Sequence, residues 1–500
     1  MLRKGSSGMN KGIQGGLMAA KTRRLIVAVI LLVLAGRAFN AGAQTETNLH
    51  SFIGSPNDGA NPYKVGLVQG SDGNFYGTTG DGGTYSHGTV FRISPSGSCT
   101  SLYSFAGPPS DGASPLAGLV QGNDGNFYGT TYTGGTNASS AFAEGTVFRI
   151  SPSGSETVLY SFGSSPNDGQ NPQVSLVQGS DGNFYGTTYT SQGGHGSGTV
   201  FRISPGGSFS NLYSFGSSPN DGWQPEAGLV QGSDGNFYGT TIFGGTNPNC
   251  NFGCGTVFRI SSSGSYTSLY SFGSSPNDGW QPGAGLVQGS DGNFYGTTGG
   301  GGGNESGTIF RISPSGSETN LYSFPNLNGV GPSGLLQGSD GDYYGTTTHW
   351  TNGPGSVFRI SPSGTYISFY SFLNDPDGAY PVAGLVQGSD GNFYGTTVDG
   401  GTSTNCGGGC GTVFKLTVPL SPPPYPINQI TGIEFSGANI ILSTPSIAYE
   451  TYQLQFSSSM NPTNWVNEGG SITSIGSLLT LTNFGGASQP QGFYRFDITP

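Results

Sequence analysis

Trp223 and Trp280 stand in one recurring phrase, each preceded by Asn-Asp-Gly, so that Asp221 and Asp278 lie two residues upstream, and each followed by Gln-Pro. Tyr63 and Tyr380 occupy related stretches, and Asp58 and Asp168 mark further copies of the same acidic phrase. A flat apolar ring beside carboxylates and amides is the chemistry of sugar recognition: the ring covers the apolar face of a pyranose and the oxygens accept its hydroxyls. The same aromatics would serve equally well as caps on a packed core, and both readings stand at this point.

Acid-base chemistry is harder to assemble. The four histidines, His50, His87, His195 and His349, occupy unrelated or only loosely similar places, so they form no His-centred triad or metal cluster. His50 stands where other copies of the repeat have Tyr, which favours a packing role. Glu144, Glu226 and Glu305 depart from the repeat but are scattered. No catalytic residue is therefore nominated, and neither a cofactor nor a metal is expected. A non-catalytic propeller that binds carbohydrate or a cell-surface partner is the leading expectation. A polysaccharide lyase or glycoside hydrolase on the same scaffold, and a structural cell-envelope protein, are the alternatives.

The elements that position these loops follow from the repeat. Gly-Asn-Phe-Tyr-Gly-Thr-Thr begins at Gly73, Gly125, Gly182, Gly235, Gly292 and Gly391, with an altered copy, Gly-Asp-Tyr-Tyr-Gly-Thr-Thr, at Gly341. Units of roughly 40–50 residues carrying four short β-branched and aromatic runs are propeller blades. In the fourth unit the runs are residues 228–231, 236–241, 255–260 and 267–272, joined alternately by tight Gly-containing turns and by longer, variable loops. The variable loops, which carry the aromatics, should share one face. A Leu-x-Ser-Phe run precedes the first unit at residues 49–52, and the last unit stops after residues 411–416 without one. Residues 47–52 should therefore complete the last blade, closing an all-β, seven-bladed propeller of four-stranded blades. An open β-solenoid is the alternative architecture.

Residues 1–43 read as a signal peptide, with Lys21-Thr22-Arg23-Arg24 before an apolar run from Leu25 to Ala35 and small residues Ala41-Gly42-Ala43 before Gln44. The propeller is assigned to 44–418, a Pro-rich linker to 419–429 and a small β-sandwich to 430–500, where Tyr452, Leu454 and Phe456 alternate with polar neighbours. Trp465 is expected in the core of that last module. Charged residues are 9% of the chain and the formal net charge is −11, which excludes a nucleic-acid surface. The mature protein should be a monomer, secreted or at the cell surface of a bacterium, without a membrane span.

Cys250 with Cys254, and Cys406 with Cys410, occupy the same loop in the fourth and seventh units. After export each pair should form a disulfide rather than a zinc site, which would need four ligands. Cys99 is left over as a free or buried thiol. The Asp of each Ser-Asp-Gly-Asn turn (Asp72, Asp124, Asp181, Asp234, Asp291, Asp340, Asp390) is a turn former first. The cation on each third strand (Arg92, Arg149, Arg202, Arg259, Arg311, Arg359, Lys415) is expected to make a blade-to-blade ion pair or to bond a neighbouring carbonyl, with a cationic ring for an acidic polysaccharide as the alternative.

The run Gly-Leu-Val-Gln-Gly-Ser-Asp-Gly-Asn-Phe-Tyr-Gly-Thr-Thr, followed by Gly-Thr-Val-Phe-Arg-Ile and Leu-Tyr-Ser-Phe, resembles the GloVer tandem repeat of bacterial secreted and surface proteins. The resemblance covers residues 47–416 and implies an exported, surface-associated protein, without carrying over any catalytic residue. Tyr452-Gln453-Leu454-Gln455, Asn464-Trp465 and Phe493-Tyr494-Arg495 resemble fibronectin-type-III-like C-terminal modules.

Overall fold

The computed structural model describes residues 45–64, 66–136, 144–165, 167–190, 197–217, 221–247, 250, 252–275, 277–325, 330–349, 353–373 and 376–417. Beyond these it describes seven C-terminal strands between 432 and 499. The signal peptide, the linker, His195 and Trp465 lie outside the described residues. Each repeat is an antiparallel meander. In blade 1 the strands are Val68–Gln69, Phe75–Thr79, Thr89–Ile93 and Cys99–Ser104, paired in that order from the axis outward. The same order recurs in all seven blades, and blade 6 adds a short strand, Val330–Pro332, beside its second. The C-terminal strands form a three-stranded and a four-stranded antiparallel sheet.

Blade 7 is completed by the N-terminus. Thr45–Ser51 pairs with Thr412–Thr417, Thr47 facing Lys415 and Ser51 facing Thr412. The chain is thus a closed ring rather than a solenoid, and the outer edge of Thr412–Thr417 is covered as third strands are in the other blades.

Tight packing between blades begins with the Phe-Tyr of each second strand. Tyr76 of blade 1 lies on Phe127 of blade 2 with ring centres 4.0 Å apart, and the contact repeats around the ring until Tyr394 of blade 7 meets Phe75 of blade 1 at 4.1 Å. The turn Asp holds each Tyr in place. Asp72 accepts hydrogen bonds from the Asn74 amide N–H at 3.1 Å, the Asn74 side chain at 2.7 Å and the Tyr76 hydroxyl at 2.9 Å. Burial alone would raise the Asp72 pKa, but these bonds outweigh it and hold the carboxyl below its usual range. Desolvation and that same bond push the Tyr76 pKa up to about 12.

On the tight-turn face a second ring of bonds runs parallel to the stacks. The Ser71 N–H donates to Gln121 Oε1 of the next blade at 2.9 Å, and the series closes where Ser389 N–H donates to Gln69 Oε1 at 2.8 Å. The recurrent cation behaves differently from expectation in blades 6 and 7. Arg359 pairs with Asp342, and Lys415 donates to Asp390 at 3.1 Å, both within a blade. The cause is register: the third-strand cation stands directly across from the second-strand Tyr, as Arg92 does from Tyr76, and so faces its own blade's turn carboxylates.

Around the axis the innermost strands approach backbone to backbone. A Cβ on Gly118 would lie 2.5 Å from the Gly66 carbonyl oxygen and 3.0 Å from Ser175 Oγ, whereas one on Gly66 would meet nothing within 4 Å. Gly118→Ala should therefore lower stability by about 1–3 kcal/mol, and Gly66→Ala should leave the melting temperature nearly unchanged. Equal melting temperatures for the two variants would refute this account of the axis.

The outer strands meet through one pair of side chains per interface. Phe209 stacks on Tyr160 at 4.1 Å, Tyr266 on Tyr213 at 4.1 Å and Tyr366 on Tyr322 at 4.3 Å. Glu156, Glu318 and Glu46 hold the equivalent position in blades 2, 5 and 7. Burial, and then the neighbouring Asp111, Asp278 and Asp377, push their pKa values up to about 7. The folded state thus holds these protons more tightly than the unfolded chain, and stability falls as pH rises from about 4.5 to 7. Glu156→Gln should raise the melting temperature at pH 8 and leave it unchanged at pH 4; the opposite ordering would show that Glu156 is stabilised as the anion.

Candidate functional site

Every variable loop on the second face is tied down by short pairings. The connection entering a blade pairs with the loop between that blade's second and third strands: Gly59–Ala60 with Asp81–Gly82, Gly112–Ala113 with Thr133–Gly134, Gly222–Trp223 with Phe243–Gly244, and Gly279–Trp280 with Gly300–Gly301. The residue just before the loop proline adopts a left-handed backbone in six blades, at φ 52° to 57°: Asn61, Ser114, Asn171, Gln224, Gln281 and Tyr380. Its two backbone groups explain the strain. The Asn61 N–H reaches back to the Cys410 carbonyl at 2.9 Å, and its carbonyl accepts the Gly80 N–H at 3.0 Å, so one residue latches the loop to the preceding blade and to its own.

The residues singled out from sequence separate on this scaffold. Asp221 and Asp278 turn inward, each 5% exposed. Asp221 accepts the Tyr213 hydroxyl at 2.8 Å and the Gly216 N–H at 3.0 Å, and Asp278 accepts the Tyr270 hydroxyl at 2.8 Å and the Ser274 N–H at 2.9 Å. Both carboxylates are thereby committed to shaping the loop. Tyr380 is one of the latches, its N–H bonded to the Pro354 carbonyl and its carbonyl to the Val398 N–H.

Trp223 and Trp280 are half-buried. Trp223 packs against the core between blades 3 and 4, and Trp280 against the core between blades 4 and 5. The Trp280 ring lies over Gly300, where a Cβ would come within 2.5 Å of the indole. Trp223 sits 4.9 Å from the Phe243 ring and 6.0 Å from that of Phe252. Phe252 is 73% exposed and has φ 79°, a conformation bulky residues avoid. It is held there inside the Cys250–Cys254 disulfide loop, whose Cα atoms are 5.3 Å apart; Cys406 and Cys410 are also bonded.

Tyr63 lies elsewhere, in a cleft of about 290 Å³ lined by Asn61, Tyr63, Asp81, Leu116, Tyr132 and Asp399 among others. These side chains come from the loops of blades 7, 1 and 2. The Asn61 amide donates to Asp81 at 3.1 Å, and burial raises the Asp399 pKa. Beside the cleft, the Lys64 ammonium is 6.0 Å from the Tyr63 ring centre and pairs with Glu226 at 2.9 Å. That pair joins the loop entering blade 1 to the loop entering blade 4, a span that can be bridged only where the loops converge on the axis. Two aromatic rings, an amide and two carboxylates around one opening offer stacking surface and acceptors for a hydroxyl-rich or cationic ligand.

Tyr132, Asp81, Asp399, Phe243 and Phe252 were not singled out from sequence. A signal was present: the residue after Thr-Thr takes five identities in the seven copies (Gly80, Tyr132, Tyr189, Ile242, Gly299, Thr348, Val398), although the residues before it recur. Among the described residues no group of three or more His, Cys, Asp or Glu is placed to hold a metal ion.

The Gloeobacter/Verrucomicrobia repeat matches the chain over residues 36–252 and again over 234–421, and the protein belongs to that family. No curated protein matches it. Among solved structures, an oligogalacturonate lyase in complex with manganese is similar at 12% identity and a TM-score of 0.45, over 76% of this chain and 94% of its own. A puromycin hydrolase is similar at 13% identity and a TM-score of 0.45, over 80% and 61%. PorZ, a surface component of the type-IX secretion system of Porphyromonas gingivalis, is similar at 11% identity and a TM-score of 0.42, over 88% and 60%. No argument about activity rests on these likenesses.

The half-buried position of the two tryptophans sets a test of packing. Trp280→Ala should lower the melting temperature, with a cost of about 2–4 kcal/mol, because it opens the core between two blades. Phe252→Ala, which removes an exposed ring, should leave the melting temperature within about 0.5 kcal/mol of the parent. An unchanged melt for Trp280→Ala would free that side chain for a purely binding role.

Proposed function

We propose that this protein is an exported, non-catalytic propeller that binds carbohydrate, or a glycan-bearing surface partner, on its loop face. A fibronectin-type-III-like C-terminal module would serve to present or dock it. The observation that carries this reading is the cleft where Asn61, Tyr63, Asp81, Tyr132 and Asp399 converge. The carboxylates of the Asn-Asp-Gly phrase are consumed by the fold, whereas these five residues border an open volume and have the rings and acceptors that sugars require. The acidic net charge of −11 favours neutral or amine-bearing glycans over acidic ones. The aromatic group of Trp223, Phe243 and Phe252 supplies a second apolar surface on the same set of loops.

The test is a glycan-array screen of the mature chain, with calorimetry on any glycan retained and an assay for released reducing or unsaturated sugar ends. Tyr63→Ala and Tyr132→Ala should each weaken binding by about 1–3 kcal/mol, the scale of an anchor residue, with unchanged melts. No sugar ends should appear. Release of ends would make the protein an enzyme, and full affinity in both variants would move the site away from the cleft.

A further inference from the structure

The seam between blades 7 and 1 differs chemically from the other outer-strand interfaces. At six positions a Tyr stands near the end of the outer strand: Tyr103, Tyr160, Tyr213, Tyr270, Tyr322 and Tyr370. Five of them donate a hydroxyl to an Asp in the following loop, as Tyr103 does to Asp111 at 2.8 Å and Tyr370 to Asp377 at 2.7 Å. In blade 7 that position is His50, and its Nε2 lies 3.0 Å from Asp58 Oδ2. Asp58 is itself fixed, accepting the Ile53 N–H at 3.1 Å and the Gly59 N–H at 2.8 Å. The His50 ring is further held edge-on against Phe52, with centres 4.9 Å apart.

The residue that opens the next blade's outer strand packs against this position at every interface, as the Phe209–Tyr160 and Tyr266–Tyr213 stacks show. Opposite His50 that residue is Cys99, which packs with Leu49 beside the cluster containing Phe52. The one interface with a titratable base in place of Tyr is therefore the one with a thiol facing it. His50 thus stands between the Cys99 thiol and the Asp58 carboxylate, in the order nucleophile, base, orienting carboxylate. Burial disfavours the charged imidazole, but the hydrogen bonds to Asp58 and then to Cys99 outweigh it and push the His50 pKa up to about 9. His50 is thus cationic at neutral pH and stands beside the thiol as a proton donor. Cys99 is partly exposed and the His50 side chain is 24% exposed, so a small reagent can reach the pair.

We propose that Cys99 is a reactive thiol, paired with His50 and oriented through Asp58, that captures external disulfides as a mixed disulfide. The Cys99 sulfur attacks one sulfur of the incoming disulfide. A new S–S bond forms as the old one breaks, and the departing thiolate takes its proton from the His50 imidazolium. Cys99 is reversibly modified and His50 ends neutral. This inference is independent of what binds the loop face.

Ellman's reagent, a small aromatic disulfide, tests it directly on the full chain, because the other four cysteines are already bonded. Reaction rates are followed from pH 5.5 to 8.5 for the parent, Cys99→Ser and His50→Tyr, the last restoring the residue of the other blades and its hydroxyl for Asp58. The parent should react throughout this range. His50→Tyr should be at least about tenfold slower at pH 6. Cys99→Ser should not react. A parent no faster than a free cysteine at the same pH overturns the proposal without recourse to any variant. So does a thiol that reacts only in denaturant, or one that reacts identically in His50→Tyr.

Discussion

The fold depends on one contact made seven times, the Tyr of one blade lying on the aromatic ring of the next. Strands of about five residues cannot bury both of their faces within one sheet, so a blade has no core until a neighbour covers it. The stack supplies that cover, adding about 0.5–1.5 kcal/mol per ring pair beyond the area buried. It also explains the wording of the repeat. Asp and Asn build the turn and leave one carboxylate oxygen for the phenol; the Gly that follows Tyr makes room for the third-strand Phe, since a Cβ on Gly77 would lie 2.7 Å from the Phe91 ring. The altered copy in blade 6 obeys the same logic. Tyr343 stacks on Tyr295 at 4.0 Å in place of Phe, and the carboxylate of Asp342, standing where other blades have a neutral Asn, is neutralised by Arg359.

Because this contact is short-range and identical in every copy, the ring was legible in the sequence: the number of blades, the strand order, the closure by residues 47–52 and the two disulfides all follow from counting and alignment. The division of labour on the loop face was not. Asp221 and Trp223 are separated by one residue and look like one binding phrase. The partner of Asp221, however, is Tyr213, eight residues back on the outer strand, and nothing in the local phrase shows that the hydroxyl reaches it. Tyr63, Trp223 and Tyr380 also look alike as loop aromatics, but they stand one residue after, two before and one before the loop proline. Those offsets decide that Tyr63 lines a cleft, Trp223 caps a core and Tyr380 is a latch.

In blades 6 and 7 the recurrent cation departs from the expected interblade pairing for a related reason. Its spacing of one per blade implies a role between blades, but the antiparallel register sets Arg92 across from Tyr76 inside the same sheet. Periodicity shows that a residue has the same role in each blade without showing where the partner lies. The cleft residues have the reverse difficulty: Asp81 and Asp399 open the same Asp-Gly-Gly-Thr phrase in different blades, and they meet Tyr132 only through the latches that fold each loop onto the preceding blade.

A propeller closed by its two ends is weakest where they meet, because there the ring is joined by noncovalent contacts alone. The seam is held by the same contacts as the other interfaces: Asn48 of the N-terminal strand reaches the Pro376 carbonyl at 2.8 Å, as Asn320 reaches that of Asn277, and the Cys410 carbonyl takes the Asn61 N–H. Asn405 also donates to the Ile53 carbonyl at 2.9 Å. The Cys406–Cys410 disulfide stiffens that same loop, and a Cβ on Gly54 would sit only 3.5 Å from both sulfurs. His50 and Cys99 lie across the boundary between the N-terminal strand and blade 1. The free thiol thus faces the strand that completes the ring, and a covalent change at Cys99 would act on the interface the closure depends upon.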